Sequence, residues 1–160
     1  MVAPADSTGA RQTPGVIAPP PLIYALGLGA GFALEALFPE APFPMARWPL
    51  GAVGLLAGLA LQGAFIAWFR RAGTPVAPYQ PTKTLVTNGP YRISRNPGYL
   101  GFALIYVGIA LLADAAWVLA PLPLVLVIVD RGVIAREERY LERLFGQQYR
   151  DFKARTRRWL

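Results

Sequence analysis

The chain has 160 residues, enough for one domain, and 54% of them are hydrophobic. It contains no cysteine and no histidine, which excludes disulfides, thiolate zinc sites, metal or haem bound through imidazole, and the usual general base at neutral pH. The net charge of +7 comes from basic residues that flank apolar runs. This placement is typical of cytoplasmic membrane flanks and argues against a nucleic-acid-binding face.

Residues 1–18 are rich in Pro, Ala, Gly, Ser and Thr without a hydrophobic period, and they predict a disordered tail before a single domain over residues 19–160. Apolar runs that follow are long enough to predict about four transmembrane helices in an all-α integral membrane protein. The predicted spans cover residues 20–38, 48–69, 99–112 and 117–129. A stiff connection with Pro39, Pro42 and Pro44 joins the first two, and Pro121 and Pro123 interrupt the fourth.

Charge predicts the orientation of these spans. The loop over residues 70–97 has five basic and no acidic residues, and residues 131–160 have nine basic and four acidic ones. The positive-inside rule therefore predicts that both polar segments and both termini lie in the cytoplasm. The bias towards Ala, Gly, Pro, Leu and Arg favours a bacterial protein, and hence the inner membrane.

The segment from Val133 onward has apolar residues at helical spacing with charges between them, which predicts an amphipathic helix along the membrane face, interrupted at Gly146. Glu137 and Glu138 have two readings. In the first, Glu138 or Glu142 pairs with Arg139 inside the helix, or Glu138 pairs with the basic neighbours of Glu142. In the second, one carboxylate of Glu137-Glu138 meets a cationic ligand at the membrane surface.

Two further acids lie in or near the spans. Glu35 is near enough to the end of its span to reach the interface, and Asp130 beside Arg131 predicts a local ion pair. The loop before the third span also has two readings, a basic flank that holds lipid phosphates or part of a site. Gly98 and Gly101 leave a helix face bare, for a neighbouring helix or for a flat ligand.

Several motifs together resemble the isoprenylcysteine carboxyl methyltransferases and the wider group that includes the phospholipid methyltransferases. These motifs are Gly73-Thr74, Leu85-Val-Thr, Gly89-Pro-Tyr-Arg, Arg95-Asn-Pro-Gly-Tyr-Leu-Gly, and Glu137-Glu with Phe145-Gly and Tyr149. The resemblance implies S-adenosylmethionine-dependent methyl transfer to a lipophilic membrane acceptor, either an isoprenylcysteine-like carboxylate or a lipid amine. It implies a cofactor site at the cytoplasmic face within residues 73–158.

Position in the motifs assigns the site residues that the resemblance implies. The expected cofactor contacts are Lys83, Thr84, Leu85, Val86, Tyr91, Asn96, Pro97, Gly98, Tyr99, Gly101, Glu137 and Glu138. The expected catalytic residues are Arg95, Tyr99 and Glu137. Arg131 or Arg136 matches an arginine near the acceptor, and no metal is expected.

One departure from the family pattern concerns Asn96, where family members often have histidine. An amide keeps a hydrogen-bond donor and acceptor but cannot transfer a proton. Two other functions stay open: an NADPH-dependent reductase of the sterol type with related membrane architecture, and a non-catalytic membrane or lipid-binding protein. Neither the methyl acceptor nor the oligomeric state follows from the sequence.

Overall fold

The computed structural model of the chain describes residues 13–38 and 47–160. Within these ranges every regular element is helical, which confirms the all-α prediction. The α-helices are α1 (Pro20–Leu37), α2 (Arg47–Arg71), α3 (Pro97–Leu112), α4 (Leu122–Val129), α5 (Ala135–Phe145) and α6 (Gln147–Arg155). Residues 1–12 of the tail predicted over residues 1–18, and the connection through Pro39, Pro42 and Pro44, lie outside the described residues.

Three helical stretches are long and apolar enough to cross a membrane: Pro20–Leu37, Arg47–Arg71 and Ala116–Phe145. They match the first, second and fourth predicted spans. Helix α3 matches the third but has 16 residues. At 1.5 Å per residue it is about 24 Å long, against about 30 Å for the hydrocarbon core of a bilayer. A fourth crossing therefore stays a prediction.

The fourth span changes helix type at the predicted interruption near Pro121. A short 3₁₀ helix, Ala116–Leu119, and two turn residues precede α4, and Pro123 lies in the first turn of α4, where a missing N–H breaks no helical bond. The span does not end at Val129. A π-helical turn, Asp130–Ile134, joins α4 directly to α5, so the amphipathic segment is a continuation of the span. The predicted interruption at Gly146 is confirmed, and that residue has a φ of 52°.

Helices α2 and α3 pack closely because glycines face each other along their contact. A Cβ added at Gly58 would lie 2.7 Å from the carbonyl oxygen of Gly101, and one added at Gly108 would lie 2.5 Å from the backbone of Leu55. Small residues of this kind let two helix backbones approach in a membrane protein. The helix-packing reading of Gly101 is therefore the one that its contacts support.

Helix α1 packs against the fourth span. Gly31 contacts the backbone of Val118, and the buried Tyr106 hydroxyl donates a 2.8 Å hydrogen bond to the Val118 carbonyl. Glu35 accepts a 2.9 Å hydrogen bond from the backbone N–H of Trp117, so its carboxylate satisfies a donor at the start of a short 3₁₀ turn. Residues 13–18 lie along the π turn and α5, where Ile17 contacts Gly132.

Candidate functional site

A polar cavity lies where the N-terminal end of α3 meets α5, beneath the loop that follows α2. Its polar lining includes Thr82, Thr84, Arg95, Asn96, Glu137 and Glu138. Its apolar lining includes Phe65, Phe69, Pro75, Val76, Pro78, Leu85, Val86, Leu141 and Phe152. Four tyrosines also belong to the wall: Tyr91, Tyr99, Tyr140 and Tyr149. The cavity volume is about 90 Å³.

Tyr99 and Glu137 form a direct pair at the wall of this cavity. Tyr99 lies in the first turn of α3, and its hydroxyl donates a 2.7 Å hydrogen bond to the Glu137 carboxylate on α5. The Tyr99 backbone carbonyl in turn accepts a 3.0 Å hydrogen bond from the Tyr24 hydroxyl on α1. Three helices therefore fix the pair. Its carboxylate can meet a cationic ligand in the cavity.

Glu138 has a different environment from its neighbour. It is 6% exposed, and the Arg95 guanidinium lies 3.0 Å from one of its oxygens while Arg158 binds the other. The predicted pairing with Arg139 inside the helix is therefore wrong for Glu138, because the side chain points towards α3 and the C-terminal residues. Two arginines already neutralise this carboxylate.

The Arg95 guanidinium has several partners within the protein. Besides Glu138, it donates through Nη1 to the carbonyls of Lys153 and Thr156, both at 2.9 Å. It joins the start of α3 to α5 and to the end of α6. Arg95 also lines the polar cavity, and its catalytic role stays a prediction.

Asp130 pairs with a residue far along the chain. The predicted ion pair with the adjacent Arg131 is wrong, because Asp130 lies 3.1 Å from Arg158 and accepts a 3.1 Å hydrogen bond from the Trp159 indole. In the π turn the two neighbouring side chains leave the helix in different directions, and that of Arg131 is exposed.

Aromatic rings form the wall opposite the acid pair. Phe65 and Phe69 of α2 contact the Tyr91 ring, which also contacts Phe152 of α6. Burial raises the pKa of Tyr91 well above its usual value, and the nearby Glu137 carboxylate adds to this shift. Burial likewise raises the pKa of Tyr149, with Glu138 as the next cause. Both phenols stay neutral at physiological pH and offer flat, apolar faces.

A second, almost wholly apolar cavity adjoins the first. It has a volume of about 290 Å³ and lies between the N-terminal end of α1, helix α2 and the start of α3. Pro20, Gln62, Ile66, Tyr79 and Phe102 belong to its lining. The two cavities share wall residues, namely Phe65, Val76, Ala77, Pro78, Gly98 and Tyr99. The Tyr99 side of the polar cavity is thus also the wall of the apolar one.

The structure brings most of the predicted site residues together. Those that line the polar cavity are Thr84, Leu85, Val86, Tyr91, Arg95, Asn96, Gly98, Tyr99, Glu137 and Glu138. The others lie elsewhere. Lys83 and Arg131 are exposed, Pro97 is buried in the first turn of α3, Gly101 packs against α2, and Arg136 donates a 2.8 Å hydrogen bond to the Gly15 carbonyl. The roles assigned to all of these residues stay predictions.

Sequence reasoning missed several lining residues. Phe65 and Phe69 carry a signal that could have been used, since they lie one helical turn apart near the cytoplasmic end of a predicted span. Tyr149 and Phe152 fall in the amphipathic tail and read as its apolar stripe. Arg158 gave no signal, because it is one basic residue among nine in the tail and its partners are distant in sequence.

The sequence model that describes phospholipid methyltransferases matches residues 46–148, from the start of α2 to the start of α6. The chain belongs to the phospholipid methyltransferase family. The match includes the whole loop before α3, the acid pair and most of the residues that line the two cavities. The other lining residues lie before α2 or after residue 148. Among the described residues, no group of three or more acidic side chains is arranged to hold a metal ion.

Two relatives add to this family assignment. A probable protein-S-isoprenylcysteine O-methyltransferase of Oryza sativa subsp. indica is 32% identical over 74 residues, 46% of this chain and 39% of the relative. An uncharacterized protein of Haemophilus influenzae is 49% identical over 35 residues, 22% of this chain and 56% of the relative. The chain thus spans roughly half or less of the relatives' lengths. No solved structure matches it.

Proposed function

We propose that this member of the phospholipid methyltransferase family transfers a methyl group from S-adenosylmethionine to a lipophilic acceptor resident in the membrane. The observation that carries the proposal is the shared wall of the two cavities at Tyr99. A cavity lined by the Glu137 carboxyl group adjoins an apolar cavity, so a cationic cofactor and an apolar acceptor would meet at one residue.

The polar cavity has side chains that suit the cofactor. Glu137 offers an anion to a sulfonium or ammonium group, and a partly desolvated site strengthens that attraction. The aromatic wall of Phe65, Tyr91 and Phe152 offers faces for a flat purine. Arg95 and Arg158 already neutralise the Glu138 carboxylate, so Glu138 is not needed to balance the positive charge of the cofactor. We assign recognition of the sulfonium to Glu137 alone.

The cavity volume indicates that the loop must move. A volume of about 90 Å³ is below the roughly 300–1,000 Å³ of typical small-molecule pockets. The loop over residues 73–88 has no regular secondary structure and forms one wall of both cavities. Opening of this loop would enlarge the polar cavity without disturbing the contacts between α2 and α3.

Alignment and exclusion of water are what methyl transfer demands of the protein. When bound, S-adenosylmethionine supplies a methyl group that passes to a nucleophile in line with the breaking carbon–sulfur bond, whose electrons stay on sulfur. A carboxylate acceptor has no proton to lose. An amine acceptor must lose one, and the Glu137 carboxylate beside Tyr99 would accept it. The apolar cavity would hold the acceptor's hydrocarbon chain away from water.

Calorimetric titration of the detergent-purified chain with S-adenosylmethionine tests the proposal. We expect saturable binding that Glu137→Ala abolishes. The matched control is Glu142→Ala, which removes an acid of the same helix whose 3.4 Å ion pair with Lys153 lies at the surface. Equal binding by Glu137→Ala and the control would contradict the assignment of Glu137.

Labelled methyl transfer separates the two acceptor classes. Vesicles with phosphatidylethanolamine present a lipid amine, and an S-prenylcysteine with a free carboxyl group presents a carboxylate. Titration with NADPH in place of S-adenosylmethionine tests the reductase alternative, and absence of binding by either compound would favour a non-catalytic role. A bacterial inner-membrane location with both termini in the cytoplasm is part of the proposal.

A further inference from the structure

The C-terminal segment, residues 156–160, lies across the N-terminal end of α3. Three consecutive residues of the loop donate hydrogen bonds to the backbone carbonyls of Arg157 and Arg158. Arg95 donates its backbone N–H to the Arg157 carbonyl at 2.9 Å, and Asn96 donates from its side-chain amide to the Arg158 carbonyl at 2.9 Å. The Ser94 hydroxyl donates to the same carbonyl at 3.1 Å.

The side chain of Arg158 bridges two carboxylates that come from different parts of the fourth span. It binds Glu138 of α5 through Nε and Nη2, and it lies 3.1 Å from Asp130 of the π turn. Trp159 adds a hydrogen bond to Asp130. One guanidinium thus binds two carboxylates, eight residues apart on one helical stretch, to the C-terminal segment.

We propose that Arg158 is a positioning residue of the cofactor site, which holds Glu138 and through it the adjacent Tyr99–Glu137 pair. The inference rests on the proposed function. It goes beyond the family assignment because Arg158 lies outside residues 46–148, the part of the chain that matches the family.

The chemistry of arginine explains why this residue type is needed. Its planar fork makes parallel hydrogen bonds to one carboxylate while its remaining nitrogen meets a second, and a lysine ammonium cannot reproduce that arrangement. Without Arg158 the Glu138 carboxylate keeps only Arg95, so it can turn away from the cavity. Because Glu138 also binds Arg95, which lies just before α3, a shift of this carboxylate would displace the first turn of α3, where Tyr99 donates to Glu137.

Loss of the Arg158 charge and loss of its positioning role have opposite effects on the affinity for the cofactor. Removal of a positive charge near the cavity would by itself tighten the binding of a cationic cofactor. A weaker affinity in an Arg158 variant therefore reports lost positioning rather than a changed local charge.

Four full-length proteins in detergent test the inference: wild type, Arg158→Ala, Arg158→Lys and the control Arg157→Ala. The control removes the same charge from the neighbouring exposed side chain and leaves the backbone carbonyl in place. For each protein, the Kd for S-adenosylmethionine is measured by calorimetry, and the Tm is measured without cofactor.

We expect a Kd at least about tenfold higher for both Arg158 variants, a Tm near wild type for Arg158→Lys, and both quantities near wild type for Arg157→Ala. Should Arg158→Ala fail to fold, the Kd of Arg158→Lys decides. An unchanged or lower Kd in a folded Arg158 variant would overturn the inference and leave a structural role only. Absence of binding by wild type would instead refute the proposed function, and this inference with it.

Discussion

The Tyr99 hydroxyl and the Glu137 carboxylate lie 2.7 Å apart although 38 residues separate them in the chain. Tyr99→Phe would remove the donor and leave the carboxylate without this bond. Since hydrogen bonds to charged groups contribute about 1.5–3 kcal/mol, we expect roughly a tenfold or larger increase in the Kd for S-adenosylmethionine. Calorimetry on the purified variant measures it. Tyr106→Phe is the control, because it removes a buried hydroxyl that lines neither cavity and donates a 2.8 Å hydrogen bond to the Val118 carbonyl. An equal effect of both changes would contradict the prediction.

Two glycines of α2 provide a matched pair for the packing of the membrane helices. A Cβ at Gly58 would meet the Gly101 carbonyl oxygen at 2.7 Å and the Ile105 side chain at 2.7 Å, whereas a Cβ at Gly63 meets nothing within 4 Å. We expect Gly58→Ala to lower the stability by about 1–3 kcal/mol through overpacking and Gly63→Ala to be neutral or slightly stabilising. Thermal unfolding in detergent compares them, and an equal Tm would argue against this close approach of α2 and α3.

The buried phenols predict a loss of stability at alkaline pH. The pKa of Tyr149 is raised in the folded chain, chiefly by burial, so the unfolded chain loses this proton first as pH rises through the usual value of about 10. Stability is therefore full below pH 10 and decreases above it. Tyr149→Phe should make the decrease in Tm between pH 8 and pH 11 smaller. An unchanged slope would show that Tyr149 ionises in the folded protein as easily as in the unfolded one.

Cofactor binding should protect the loop between α2 and α3. Val76, Ala77 and Pro78 line both cavities, and the proposed function has this loop open to admit the cofactor. We expect slower amide hydrogen exchange over residues 73–88 when S-adenosylmethionine is added. Peptides from the middle of α2 serve as the internal reference. Equal protection of loop and reference peptides, or none in the loop, would contradict loop closure over the ligand.

The sequence predicted the helices well where a single physical rule decides the outcome. Apolar runs of sufficient length located α1, α2 and α3, and the glycine at position 146 located the break before α6. The continuation of the fourth span beyond Val129 was not predicted, because the charged residues from Asp130 onward resemble the end of a membrane span.

The candidate site, like the fold, was predicted only in part from the sequence. Motif resemblance found residues close in sequence to the two blocks, and ten of them line one cavity. Pairing between charges was mispredicted at Glu138 and Asp130, because the sequence offers adjacent partners, Arg139 and Arg131, while the fold provides a shared one. The partner Arg158 is 20 and 28 residues away, and only tertiary structure brings it to both acids.

The π turn between α4 and α5 sets the direction in which the acid pair points. A π turn amounts to one extra residue in a helix, and each residue of an α-helix advances the side chain by about 100° around the axis. Deletion of one residue within Asp130–Ile134 would therefore rotate Glu137 and Glu138 by about that angle, away from Tyr99 and Arg95, with every side chain still present. The site depends on the number of residues in this turn as much as on their identity.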